Sequence, residues 1–219
     1  SYSFRDAAPL HVGSVSQPSF ILPIPSTIRT TKSGQSDPGT MSSERLVWID
    51  LEMTGLDPVE NKIIEIATIV TDGELNIIAE GPNLIIHQSE EELDKMDEWN
   101  VRHHTANGLI EQVRSSETSL EDAETETLAF LREHCLENQS PLCGNTIGQD
   151  RRFLRRYMPT LHEFFHYRSV DVTTVKILMD LWYQAPQYHK GDGHRALDDI
   201  RMSIEELKHY RRIGFKPEI

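Results

Sequence analysis

The chain has 219 residues, 37% of them hydrophobic, with 22 Lys and Arg against 35 Asp and Glu and a formal net charge of −13. No apolar run approaches the roughly 18 residues that a membrane-spanning helix needs. So large an acidic excess argues against an electrostatic clamp on long duplex nucleic acid, which depends on many phosphate contacts, but it leaves room for a nucleic-acid enzyme whose metal ions supply positive charge locally.

In chain order, residues 1–40 come first and differ from the rest. Ser, Thr, Pro and Gly dominate, and no apolar periodicity is present. This predicts a disordered extension: a targeting segment, a linker, or non-native sequence ahead of a true start at Met41. Residues 41–219 read as one domain, large enough to bury a core. Leu46 to Ile49 reads as a strand. Asp50 and Glu52 follow two positions apart, and residues i and i+2 of a strand share a face. Two adjacent anions in a buried setting repel each other and need a cation or a proton between them. Oxygen-only pairs suit hard divalent ions. The plainer alternative is a strand end fraying into a polar turn, and Gly55 with Asp57-Pro58 supplies turn chemistry there.

Ile63 to Thr71 is a second strand, Asp72-Gly73 a hairpin signal, and Leu75 to His87 a third strand, broken near Gly81-Pro82. Together they predict an antiparallel meander. Glu90 to Asn107 reads as short helices. Ser119-Leu120-Glu121-Asp122 has the form of a capping box and opens a helix with Leu120, Ala123, Leu128 and Leu131 on its apolar face. Pro141 to Gly144 is a short buried strand. A helix is expected from Arg151 to Tyr157, stopping before Pro159. A fifth strand follows at Tyr167 to Val172, a helix at Thr173 to Tyr183, a loop at Ala185 to Gly193, and a last helix from about His194 to Arg211. That last helix has its core face at Leu197, Ile200, Ile204 and Leu207. A meander followed by alternating helices and strands predicts an α/β fold: a mixed five-stranded sheet with helices on both faces.

Two further stretches carry chemistry. Asp150 is a third carboxylate at a strand-to-helix junction, where sheet enzymes gather their sites; a first-turn Asp serving the helix dipole is the alternative. His194 stands at the end of a Gly-bearing loop, and an imidazole is the side chain whose ordinary titration range suits a general base near neutrality. Asp198 and Asp199 follow it, and helical periodicity does not choose between them. Cys135 and Cys143 lack metal-ligand spacing and fit a reduced, intracellular compartment. A cytoplasmic location is expected, or a mitochondrial one if residues 1–40 form a transit segment.

Asp50-Leu51-Glu52, Asp150 and His194-x4-Asp199 match, in order and spacing, the three motifs of the DEDDh 3′–5′ exonucleases. The wider stretches Trp48 to Leu56, Asn145 to Leu154, His166 to Val172 and His194 to Ile200 resemble the oligoribonucleases, and the likeness covers about residues 44–211. The resemblance implies a ribonuclease H-like sheet, a homodimer, and hydrolysis of short single-stranded RNA from its 3′ end with two divalent ions, Mg²⁺ or Mn²⁺. It implies that Asp50, Glu52, Asp150 and Asp199 are the metal ligands and His194 the general base, and it selects Asp199 over Asp198. Leu56, Trp99, His104, Thr146, Tyr167, Arg168 and Thr173 fall at positions expected to touch substrate. Thr146 stands where the family usually has Ser, so the hydroxyl is kept. Asp171, at the end of the fifth strand, reads as structural.

Overall fold

The computed structural model of the protein describes residues 44–186, 188–189 and 195–215; the extension expected at 1–40 and the side chain of His194 lie outside these described residues. The centre of the sheet is β1 (Arg45–Met53). On one side it pairs antiparallel with β2 (Ile63–Asp72), which pairs antiparallel with β3 (Ile77–Ile85). On the other side lie β4 (Pro141–Gly144) and β5 (His166–Asp171), both parallel, giving the order β3-β2-β1-β4-β5. This is the mixed five-stranded sheet that the strand pattern predicts.

The period of two along β1 sorts its residues between two cores. Val47, Ile49 and Leu51 pack with residues of α4 (Leu120–His134), α5 (Gly148–Tyr157) and α6 (Pro159–Phe164). Trp48 enters the opposite core with Val172 of α7 (Val172–Tyr183) and with Ala196, Ile200 and Ile204 of α8 (Ala196–Gly214). Its buried indole N–H donates to Thr71 Oγ1 at 3.1 Å. Asp50 and Glu52 continue the Trp48 row, so they emerge on the face that α8 covers. The β1–β4 pairing spans only Val47↔Leu142 and Trp48↔Cys143. Past that point the carboxyl-terminal half of β1 has no β4 residue paired with it.

Several features depart from or add to the expected elements. The third strand is continuous, because Gly81 and Pro82 together oppose Thr68 as a bulge between the pairs Ala67↔Asn83 and Ile69↔Glu80. A proline cannot donate to a ladder, and an edge strand with a bulge tolerates that. Leu75 belongs to the hairpin turn at φ 70°, where the Asp72 carboxylate accepts from the N–H groups of Glu74 and Asn76 at 2.9 and 2.8 Å. α5 starts at Gly148, which places Asp150 inside its first turn. Pro159 opens α6 rather than merely ending α5, since a first-turn residue needs no N–H donor. The expected capping box is present at Ser119 and Asp122. The short helices are α1 (Glu90–Leu93), α2 (Glu98–Ala106) and an unanticipated α3 (Leu109–Ser115).

Candidate active site

Asp50 and Glu52 leave β1 side by side, and the first turn of α8 delivers Asp199 to meet them. One carboxylate oxygen from each lies within 4.8 Å of the others. Asp150 arrives from α5 on the other side of β1. Its Oδ1 accepts the Leu51 N–H at 3.1 Å, a donor that β4 has ended too early to use. Burial and the neighbouring charges of Asp199, Glu65 and Asp150 push the Glu52 carboxyl up to about 8, with Arg195 opposing them. Burial likewise raises Asp150 far above the usual carboxylate range, although the Leu51 N–H pulls the other way. Carboxylates this reluctant to ionise alone accept either protons or cations. An oxygen-only donor set fits hard divalent ions.

Asp198 points away: it is exposed and pairs with Arg201 at 3.1 Å. The geometry therefore selects Asp199. α8 is fixed at this point by a residue that the sequence reading passed over. Arg195, its N-cap, donates through Nε and Nη2 to Glu65 at 3.0 and 2.8 Å, and through Nη2 to Gln112 Oε1 at 3.0 Å. Glu65 is fully buried on β2, directly opposite Glu52. The available signal was a lone carboxylate within the apolar strand Ile63 to Thr71, which demands a cationic partner.

The remaining candidates fall into three groups. His104 is buried beside Glu52, with Nδ1 4.0 Å from Glu52 Oε2 and Nε2 3.1 Å from the Met53 carbonyl. Burial pushes its pKa down, against that backbone contact. Trp99 is 64% exposed and stacks on His103, ring centres 4.8 Å apart and 9° from parallel. Thr146 and Thr173 form the second group, their hydroxyls 3.1 Å apart. Asp171 accepts the N–H of both Thr146 and Thr173, at 3.0 and 2.9 Å, and so has the structural role expected of it. The third group is exposed. Leu56 is 72% accessible, on a turn tied to α5 by Gln149 donating to its carbonyl. A Cβ on Gly55 would lie 2.5 Å from Asn61 Oδ1, so a larger residue there would have to displace the Asn61 side chain. Tyr167 is 74% exposed on edge strand β5, with the Arg168 guanidinium 5.3 Å from its ring centre. Arg151, another residue not anticipated, donates to the carbonyls of His166 and Tyr167 at 2.8 and 3.3 Å and so holds that strand to α5.

Sheet, helices and acidic cluster together define a nuclease of the exonuclease fold, and a family model described as Exonuclease matches residues 47–207. Among solved structures, Escherichia coli exonuclease I in complex with a 5cy-dT13 oligonucleotide superposes with a TM-score of 0.60 at 14% identity, covering 78% of this chain and 41% of that one. The exonuclease I of Methylocaldum szegediense gives 0.55 at 19% identity, with the same coverage of 78% and 41%. These two share the fold, and this chain spans about two fifths of their length. The oligoribonuclease of Aeromonas hydrophila is 56% identical over 179 residues, 81% of this chain and 99% of its own. That of Dichelobacter nodosus is 58% identical over 167 residues, 76% of this chain and 93% of its own. The chain belongs to the oligoribonuclease family.

Proposed function

We propose that the protein removes nucleotides from the 3′ end of very short RNAs, down to dinucleotides, and releases nucleoside 5′-monophosphates. The observation that carries this reading is the cluster of Asp50, Glu52 and Asp199, partly buried and with oxygens within 4.8 Å of one another. These three and Asp150 would hold two divalent ions, Mg²⁺ or Mn²⁺. When bound, such ions stabilise charge on the phosphate and acidify the attacking water. His194, assigned from the motif, takes the proton of that water on its imidazole ring. Leu56 and Trp99 offer exposed apolar surfaces on which bases can stack. Thr146, Thr173 and Arg168 would hold the terminal 5′ phosphate. Thr173 lies in the first turn of α7, where backbone N–H groups favour anions, and a guanidinium suits bidentate phosphate contact.

A small pocket fits the charge balance, because an acidic chain must win affinity from a few contacts rather than from many phosphates. A homodimer belongs to the same reading. Ile177, Leu181, Trp182 and Tyr183 leave an apolar face of α7 exposed, and Tyr167 would reach from β5 toward the partner's site. The two cysteines, both buried free thiols, agree with an intracellular location.

The test uses end-labelled RNAs of two to ten nucleotides, with DNA oligomers as competitors. The expected result is a ladder from the 3′ end in Mg²⁺ or Mn²⁺, fastest turnover of 5′-phosphorylated dinucleotides, and no cleavage in chelator. Asp50→Ala should be inactive yet folded. Equal kcat/KM for two-mers and ten-mers would refute the length limit, and activity in chelator would refute the metal requirement.

A further inference from the structure

A second group of ligand atoms adjoins the acidic cluster. One atom each from Glu52, His103 and His104 lies within 4.8 Å of the others. His104 is the informative member. Its side chain is 2% exposed. Its Nε2 faces the Met53 carbonyl at 3.1 Å. A carbonyl only accepts, so Nε2 carries the hydrogen and Nδ1 carries the lone pair. That Nδ1 is buried and has no hydrogen-bond partner. It points toward Glu52 Oε2, 4.0 Å away. A buried acceptor left without a donor costs about 1–3 kcal/mol, and once Glu52 ionises the lone pair faces a second acceptor. A cation between them satisfies both.

The surroundings have the form of a metal site. An imidazole that binds metal through one nitrogen usually gives its other N–H to a carbonyl or carboxylate, which fixes tautomer and ring orientation. The Met53 carbonyl does this for His104. His103 is held as well, by the parallel stack against Trp99. Donor chemistry then separates this group from its neighbour. Asp50, Glu52 and Asp199 offer oxygen only, which suits Mg²⁺ and Mn²⁺. Two imidazoles and one carboxylate suit Zn²⁺, and Co²⁺ as its spectroscopic substitute.

We propose that Glu52, His103 and His104 form a binding site for a zinc-class transition ion, next to the oxygen-only cluster and sharing Glu52 with it. Occupancy of this site draws Glu52 away from the cluster that hydrolysis requires, so the ion acts as an inhibitor. The binding site stands on its own geometry, whereas the inhibition rests on the function proposed above.

The experiment titrates the metal-free full chain with Co²⁺, read by its visible absorption, and then displaces the Co²⁺ with Zn²⁺. In parallel, Zn²⁺ is added to RNA hydrolysis in excess Mg²⁺. A Co²⁺ species with imidazole-type absorption is expected, displaced by Zn²⁺. His103→Gln and His104→Gln should each weaken Zn²⁺ binding about tenfold or more. Each variant should need correspondingly more Zn²⁺ for half-inhibition, relative to its own Mg²⁺ rate. His103 is partly exposed, so His103→Gln keeps the test valid if His104→Gln does not fold. Unchanged Zn²⁺ affinity in a folded His103→Gln variant overturns the proposal and puts zinc on the three carboxylates. A parent protein without nuclease activity would sink the functional reading and leave the Co²⁺ result to judge this site alone.

Discussion

Glu52 concentrates the electrostatics of the site into one titration. Its carboxyl is raised from 4.5 to about 8 in the fold. A group that holds its proton more tightly folded than unfolded favours the fold fully below its unfolded pKa, and that contribution is lost as pH rises through the folded value. The metal-free protein should therefore lose melting temperature between pH 5 and pH 8, and Mg²⁺ or Mn²⁺ should restore it at the upper end. Binding the ion displaces the proton, so metal affinity should climb across the same window, with protons released to the buffer. Calorimetry in two buffers of different ionisation enthalpy measures that release. A metal-free protein that is more stable at pH 8 than at pH 5 contradicts the assignment. One turn along α8, the two aspartates should separate cleanly. Asp199→Ala should abolish turnover. Asp198→Ala removes only an exposed pair with Arg201, worth at most about 1 kcal/mol, and should leave kcat/KM within a few-fold of the parent.

Among the elements, the junction of β2 with α8 governs the site most directly. Glu65 and Arg195 clamp the start of the helix that carries Asp199. Removing one partner of a buried pair strands the other, at about 3–5 kcal/mol for full burial. Arg195 is a quarter exposed, so Arg195→Met should cost somewhat less. Arg195→Lys keeps the charge but loses the fork. It should retain most of the stability while lowering kcat more than it raises KM, because Asp199 is no longer held in register. A fall in KM-linked binding with kcat intact would assign the clamp to substrate instead. The sequence revealed what local periodicity controls. Alternation along β1 put Asp50 and Glu52 on one face, and the capping box announced α4. Partnerships across long sequence separation stayed hidden: Glu65 with Arg195, His104 with Met53, and Arg151 with β5. Proline misled at Pro82, where its missing N–H is harmless in an edge bulge; Pro159 ended α5 as expected and also opened α6. Asp199 could be told from Asp198 only by motif until α8 was docked.

At the scale of the whole molecule, an acidic surface carries an apolar patch. Leu181, Trp182 and Tyr183 are each more than 60% exposed, and beside them Val175, Met179 and Phe215 line a cavity of about 340 Å³. Contiguous apolar surface of this kind marks an interface more often than idle surface. Leu181→Glu should turn a sedimenting dimer into a monomer while sparing the thermal response to Mg²⁺. A parent protein that is monomeric at micromolar concentration would assign the patch to something else. The placement of Asp199 on the last helix has a consequence for how the protein is made. The meander β1–β3 has short-range pairings and can form while synthesis continues, yet its two carboxylates remain without their third partner until α8 has been translated and docked. A chain that has made only the meander therefore holds two of the clustered carboxylates and lacks Asp199, which α8 brings.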